Sequence, residues 1–461
     1  MPFFFDNQIE MYLWSSAFIL LTAILVKYGL DKKLLRVEAG RKILHIIAIL
    51  TCGYVVNFTE QNGELAAIFI GFSIVLFYIA HKNILLPNER RSYGIALFPL
   101  AFGFLLLAPF SKEAILFAII TLGVSDALAG WAGETFAKNK VVFLYENKSW
   151  LGFFVFYFST LVIGFYFIGF SPVIFLLALI PAFSELYSYR GSDNLTVPLM
   201  AAFWYDLLQK TTISSITLMA FFIMAIILML VYYKRWLSDS GTMAAFLLGS
   251  LILFSSGVVY LLPISIFFVA GSLTTKLIPK NKDAKGRDAF QVFANGGVAT
   301  FCLLIFYITR NDAFLFGYFV SVCVSLSDTM SSDIGIFFRQ KTYDILTFAP
   351  LKVGLSGGIS FVGTVAGLLS AILFSGVMMW MFSLSIFDVI LISVAGFTGM
   401  LLDSIMGSLW QAKYVKDDII SEEKTSHGKL IKGFDWMDND GVNLLSNFMI
   451  TMIFVILVYV L

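Results

Sequence analysis

The chain is a succession of apolar stretches, each close to the length that crosses a bilayer, separated by short polar links. A helix rises 1.5 Å per residue, so about 20 apolar residues cover a hydrocarbon core roughly 30 Å thick. No water satisfies a backbone N–H or C=O at that depth, so segments this long must be helices. Stretches that fit lie near 11–30, 43–58, 64–80, 94–110, 113–131, 150–169, 171–188, 212–233, 241–258, 260–277, 290–309, 312–330, 357–380, 384–410 and 443–461. One more, 195–210, is short and contains Pro198 and Asp206. Only 13% of residues are charged, against about 25% in soluble domains. The expected class is an all-α polytopic membrane protein, not a soluble enzyme, a disordered chain or a nucleic-acid binder. Cys52, Cys302 and Cys323 sit in apolar runs without metal-like spacing and read as small buried residues.

The net charge of +1 is uninformative, but its distribution is not. Lys and Arg in short loops stay cytoplasmic. The links 31–42, 82–91, 138–148, 190, 234–235, 276–287, 339–352 and 413–432 hold 27 of the 31 basic residues. With the N-terminus outside, these links all fall inside only if 195–210 also crosses. The arithmetic predicts about sixteen transmembrane helices with both termini outside.

Sixteen spans divide into eight and eight, and motifs recur in the same order. Ser125-Asp126-Ala127-Leu128 matches Ser327-Asp328-Thr329-Met330, and Gly133 and Phe136 match Gly335 and Phe338 at the same offset. Lys148-Ser149-Trp150-Leu151-Gly152 is paired with the stretch from Lys352 to Gly358, and Glu38-Ala39-Gly40 with Asp239-Ser240-Gly241. Asp193-Asn194 and Val197-Pro198 resemble Asp438-Asn439-Asp440 and Val442-Asn443. An even number of spans per half predicts parallel repeats, with domains 1–210 and 211–461.

The polar residues gather at the expected cytoplasmic ends. Acids and amides suit oxygen ligation of Mg²⁺, Lys and Arg neutralise phosphate, and glycine turns let backbone N–H groups approach phosphate oxygens. That chemistry suits a phosphorylated, metal-bound substrate meeting a lipid. Taken singly, several residues have plainer uses. Arg41-Lys42 is an inner-face anchor, His45 an interfacial hydrogen-bonding residue, and Lys148 and Lys352 satisfy the charge asymmetry. Gly357-Gly358 with Gly363 and Gly367 also suits close helix packing. Asp126 and Asp328, two acids at one slot of both halves, resist that reading.

Residues 10–210 resemble the phytol kinase and dolichol kinase family of membrane lipid kinases. The resemblance rests on Glu38-x-x-Arg41-Lys42-x-x-His45, Arg91-x-Tyr93-Gly94, Asp126-x-x-Ala129-Gly130-x-x-Gly133, Lys148-Ser149-Trp150-x-Gly152, and Glu185 followed by Asp193-Asn194-x-x-Val197-Pro198. Ser125 departs from the family's usual Gly. Residues 212–461 resemble a membrane family that includes phytyl-phosphate kinase. Its marks include Gly271-Ser272-Leu273-x-Thr275, Lys285-Gly286-Arg287-Asp288-x-x-Gln291, Asn295-Gly296-Gly297, Asp328-Thr329-x-x-Ser332-Asp333, Gly357-Gly358-Ile359-Ser360, Asp403-Ser404 and Asp438-Asn439-Asp440-x-Val442-Asn443. Leu355 stands where that family usually has Thr, and Asp333 where Glu is commoner.

The resemblance implies a fused pair of kinases. The first half would phosphorylate a prenyl alcohol and the second the resulting monophosphate, with CTP as donor and Mg²⁺ as cofactor, for isoprenoid salvage. In the first site Asp126 would hold metal or orient the alcohol, and His45 is a candidate for proton transfer. Arg41, Lys42, Arg91, Lys148 and Ser149 would meet phosphate, and Glu185, Asp193 and Asn194 would complete the metal and nucleotide shell. In the second, Asp328, Asp333, Asp403, Asp438 and Asp440 would serve the metal. Lys285, Arg287, Asn295, Lys352, Ser356, Gly357, Gly358, Asn439 and Asn443 would serve the nucleotide and phosphates. The dense basic link 276–287 suits either an anionic acceptor or the donor. Other readings at this stage are a transporter, a cytidylyltransferase making a CDP-lipid, or one half that is purely structural. The expected setting is a prokaryotic plasma membrane with both sites facing the cytoplasm.

Overall fold

A computed structural model describes residues 8–460, apart from 36, 60–61, 82–93, 138–140, 144–145, 187, 189–190, 211–213, 278–285, 417–418 and 423–428. The chain divides into two compact units, Met1–Thr212 and Ile213–Leu461.

In the first unit the helices are α1 (Gln8–Asp31), α2 (Val37–Phe58), α3 (Asn62–His81), α4 (Gly94–Leu107), α5 (Lys112–Ile120), α6 (Ala127–Thr135), α7 (Trp150–Ile168), α8 (Val173–Leu186) and α9 (Asp193–Lys210). Strands β1 (Val141–Phe143) and β2 (Glu146–Lys148) form an antiparallel hairpin before α7. A π-helical turn over Thr121–Asp126 joins α5 to α6, so that Asp126 closes a local widening of one long rod. Such widened turns are rare and concentrate at functional sites. Trp204, Phe102, Phe117 and Phe156 are fully buried and centre the packing of this unit.

The second unit has α10 (Ser215–Tyr233), α11 (Asp239–Ser256), α12 (Leu261–Leu277), α13 (Ala289–Thr309), α14 (Asp312–Phe337), α15 (Phe361–Phe382), α16 (Ile386–Leu409) and α17 (Asn439–Val460). Its central helix is α14, which packs against α12, α13, α15, α16 and α17. Lipid supplies little hydrophobic drive between helices, so close contact and hydrogen bonds must hold them. Asn447 of α17 shows how. It accepts from Ser321 Oγ at 2.8 Å, donates to Ser325 Oγ at 2.8 Å, and accepts from Thr451 at 3.1 Å. Ser325 in turn donates to the Asn295 carbonyl at 2.8 Å, joining α13, α14 and α17. Caps fix where helices begin: Asp288 and Gln291 form a reciprocal box on α13, and Ser360 accepts from Gly363 N to start α15.

Two links expected as plain loops carry small sheets. Strands β3 (Thr342–Asp344), β4 (Pro350–Leu351) and β5 (Gly358–Ile359) run in the order β4-β3-β5. Strands β6 (Lys413–Lys416), β7 (Ile419–Ser421) and β8 (Lys429–Lys432) run β7-β6-β8.

Among the described residues eleven helices are long and apolar enough to cross a bilayer. Four shorter apolar helices lie at Lys42–Phe58, Gly63–Ile79, Gly94–Leu107 and Val173–Leu186. The helix α9 belongs to neither group, and its buried Asp206 accepts a hydrogen bond from Ser111 N at 2.9 Å. Length and apolarity by themselves therefore support eleven crossings, fewer than the sixteen that the loop charges ask for.

Candidate functional site

Two polar centres emerge, one within each unit. In the first unit α2 supplies Lys42 and His45, the π turn ends on Asp126, and α6 supplies Glu134. The hairpin delivers Lys148 at the end of β2, α8 ends beside Glu185, and α9 opens with Asp193 and Asn194.

Lys148 is the hub. Its Nζ donates to Glu185 Oε1 at 2.8 Å and to Ser188 Oγ at 2.9 Å, and lies 4.0 Å from Asp193 Oδ2. Ser188 donates on to Asp193 at 3.3 Å. The Lys148 and Glu185 side chains are only 15% and 11% exposed. Burial alone would make Lys148 easier to deprotonate, but the charges of Glu185, Asp193 and Asp126, with the Glu185 hydrogen bond, outweigh it and hold the ammonium above its usual range.

His45 Nε2 lies 3.6 Å from Asp126 Oδ2, and Lys42 pairs with Glu134 at 2.5 Å. Ser149 is buried and its hydroxyl accepts from Gly152 N at 3.0 Å, capping α7. Asn194 Nδ2 donates to the Gly94 carbonyl at 3.2 Å, tying α9 to α4. The expected residue Arg91 and the side chain of Arg41 lie outside the described residues.

The second unit contains a cavity of about 680 Å³. Of the residues expected there, Arg287, Asn295, Asp328, Asp333, Ser356, Gly357, Gly358, Asp403, Asn439, Asp440 and Asn443 all line it. Lys352 and Asp438 do not. Lys352 is exposed in the turn after β4, and Asp438 accepts from Gly441 N at 2.9 Å, in the position of a cap on α17. Lys285 lies outside the described residues.

Arg287 is held by backbone on both sides. Its N–H donates to the Trp236 carbonyl at 3.1 Å, and its carbonyl accepts from Ser238 N at 3.0 Å. A Cβ on Gly241 would collide with that carbonyl, so only glycine permits the approach. The guanidinium donates to Thr275 Oγ1 at 3.3 Å, and burial makes it easier to deprotonate than an ordinary arginine. Thr274 and Thr275 both donate to Asp333 Oδ2, at 3.1 and 2.5 Å.

The glycine turn faces another wall. Gly357 has φ +81°, and a Cβ there would meet Ser408 at 2.6 Å. Ser356 N donates to Glu422 Oε1 at 2.6 Å, its carbonyl accepts from Lys413 Nζ at 2.7 Å, and Gln411 donates to Glu422 Oε2 at 2.8 Å. Burial raises the Glu422 carboxyl and lowers the Lys413 ammonium from their usual ranges. Neither residue was expected in the site; both came from a link read only for its positive charge.

The motif matches gain a different register in three dimensions. A Cβ on Gly133 would meet Ser149 Oγ, and one on Gly335 would meet Ser360 Oγ. Ser149 and Ser360 each cap the helix that follows and accept from a glycine three residues on. Ser149 and Ser360 thus share a local arrangement, each capping a helix against a glycine, and the residue before Ser360 is Ile359 where Lys148 precedes Ser149.

Among the described residues no group of three or more His, Cys, Asp or Glu side chains is gathered closely enough to form a metal cage by itself. The acids are spread around the cavity instead.

Comparison with known proteins bears on the class of molecule. Residues 222–451 match the family model described as integral membrane protein DUF92. An uncharacterized membrane protein of Methanocaldococcus jannaschii, MJ0933, is 30% identical over 196 residues, covering 41% of this chain and 82% of the relative. The chloroplastic protein VTE6 of Arabidopsis thaliana is 30% identical over 224 residues, 46% of this chain and 62% of the relative. A phytol kinase of Synechocystis is 29% identical over 182 residues, 36% of this chain and 77% of the relative. No solved structure matches.

Proposed function

From its place in the family of integral membrane proteins DUF92, to which this chain belongs, we propose that it is a membrane isoprenoid kinase. In this reading the first unit phosphorylates a prenyl alcohol and the second phosphorylates the monophosphate, both at the cytoplasmic face, with CTP as donor. The phytol kinase relative supports the alcohol as substrate class. Sixteen crossings in two parallel repeats and a salvage role belong to the same proposal.

The observation that carries it is two polar centres built differently around an Asp at matching slots. Phosphoryl transfer asks for positioning and charge stabilisation more than covalent chemistry. In the first step an alcohol oxygen attacks the terminal phosphorus, and the bond to the nucleoside diphosphate breaks with its electron pair leaving on that oxygen. The alcohol proton must also leave, and Asp126 beside His45 at 3.6 Å supplies a base. In the second step the attacking phosphate oxygen is already anionic and has no proton to give up. In the register that pairs Glu38-Ala39-Gly40 with Asp239-Ser240-Gly241, the slot of His45 holds Phe246. The absence of a histidine at that slot fits an acceptor that needs no base.

The acids fit Mg²⁺ delivered with the nucleotide. That ion keeps several waters and takes one or two carboxylates plus substrate phosphates. Asp328, Asp333 and Asp403 face the second cavity in that dispersed manner, and Asp126 with Asp193 offers a smaller set in the first unit. When bound, the ion would neutralise developing charge on the transferred group.

The test uses purified full-length protein with labelled CTP, Mg²⁺ and farnesol, geranylgeraniol or phytol. Mono- and diphosphate products with release of CDP are expected; release of pyrophosphate would identify a cytidylyltransferase instead. Asp126→Asn should abolish use of the alcohol yet spare added monophosphate. Asp328→Asn should stop the reaction at the monophosphate. Intact alcohol phosphorylation by Asp126→Asn would remove that residue from the first site.

A further inference from the structure

We infer that one wall of the second cavity, formed by Arg235, Trp236, Ser272, Lys276 and Arg287, seats the phosphate of the anionic lipid acceptor and not the phosphates of the nucleotide donor. The inference rests on the kinase reading and deepens it.

These five residues form a continuous surface. The backbone of Arg287 is bonded to that of Trp236, and its guanidinium lies over Gly271, where a Cβ would approach it to 3.1 Å. Lys276 Nζ sits 4.6 Å from the Trp236 ring centroid, held by a cation–π contact. Arg235 precedes Trp236 in a left-handed conformation at φ +55°. All five line the cavity.

Two neutral donors on this wall point to a ligand. Ser272 is 6% exposed, and neither its Oγ nor Trp236 Nε1 has a hydrogen-bond partner among the described residues. Buried donors of this kind are rare in native proteins. A phosphate monoester brings three acceptor oxygens and nearly two negative charges. Arg287 uses one of its five N–H donors, on Thr275, within the described residues. Three cations and two unmet donors match such a group in sign and in hydrogen-bonding capacity.

The first unit supplies the contrast. There Lys42 is taken by Glu134, and Lys148 by Glu185 and Asp193. Those lysines are neutralised in place, which suits an uncharged alcohol. In the second unit the glycine turn lies apart from the cationic wall in sequence, and its N–H groups at Ser356 and Gly358 are already given to Glu422 and to the Leu355 carbonyl.

The experiment separates acceptor from donor. Steady-state kinetics of the second step are measured on the full-length protein with farnesyl monophosphate and CTP varied independently. Lys276→Gln, Arg235→Gln and Ser272→Ala should each raise the KM for the monophosphate tenfold or more and change the KM for CTP less than twofold, with Lys276→Arg restoring much of the loss. Binding of tritiated farnesyl monophosphate without nucleotide provides a readout independent of turnover, with farnesol as the neutral comparator. Wild-type protein should bind the monophosphate, and the variants should lose that binding while keeping farnesol. Variants that bind the monophosphate like wild type, or that weaken CTP instead, would overturn the assignment. Wild-type protein that binds the monophosphate but transfers no phosphate would sink the kinase reading and leave the subsite standing. If Lys276→Gln fails to fold, Ser272→Ala, which removes a single oxygen, carries the same test.

Discussion

Removing the charge of Lys148 gives the sharpest test of the first centre. At 2.8 Å from Glu185 and with an effective dielectric constant of about 20, Coulomb's law gives about 6 kcal/mol of attraction. Taking two largely buried ions out of water returns about half of that, leaving about 3 kcal/mol. The two single substitutions should differ. Lys148→Met leaves Glu185, Asp193 and Asp126 repelling one another without the cation that joins them. Glu185→Gln leaves the lysine with Asp193 at 4.0 Å and is the milder change. The assay is a double-mutant cycle on thermal unfolding of the full-length protein in detergent, alongside alcohol phosphorylation. Lys148→Met should cost about 3 kcal/mol, Glu185→Gln about half as much, with a coupling of about 2 kcal/mol between them. A coupling below about 0.5 kcal/mol would show that the pair is solvated, and the argument from burial would fail.

Two further outcomes concern the second unit. Gly357→Ala places a Cβ 2.6 Å from Ser408 at φ +81°, combining left-handed strain with overpacking, and should lower stability by about 3 kcal/mol with a corresponding drop in Tm. Burial raises Asp344, but the Ser408 hydroxyl, the backbone N–H groups of Thr347 and Leu346, and Lys432 outweigh it and hold the carboxyl at about 2. Its folded value lies below the unfolded one, so its contribution is complete above about pH 4 and fades as the pH falls toward 2. That contribution is about 2 kcal/mol, and Asp344→Asn should flatten this limb of the stability–pH curve measured by denaturation.

What the sequence conveys well is what depends on local pattern. Apolar runs announce helices because bilayer thickness fixes their length, and the acids and amides at their ends announce the second cavity. Arg287, Asn295, Asp328 and Asp403, which line the cavity, were legible because they are polar groups interrupting or flanking apolar runs beside glycine-rich motifs. Residues brought in by the small sheets were not. Glu422 and Lys413 belong to a link whose only readable property was its charge, and folding through β6 and β7 returns them to Ser356. The same cause displaced the match for Lys148. Three strands intervene between α14 and α15, where two precede α7, so the serine that caps α15 is Ser360 and not a residue directly after Lys352. Trp236 went unnoticed because it carries no charge, and Ser272 was legible only as part of a glycine motif; their unmet donors exist only in three dimensions.

The widened turn at Thr121–Asp126 makes the direction of Asp126 a matter of counting. Each residue of an α-helix advances the chain by about 100° and 1.5 Å. A π turn holds more residues per turn than regular helix, so the rod Lys112–Thr135 carries surplus chain at that point. The widening absorbs that surplus without turning the chain further, so deleting one residue there would restore regular helix and leave Asp126 facing His45. Adding or removing a residue in the rod while the widening stays would instead swing everything beyond it by about 100°, and Asp126 would leave His45 although no side chain in the centre had been altered. The orientation of the acid thus depends on residue count and widening together, and substitutions that keep the hydropathy of this stretch leave both intact.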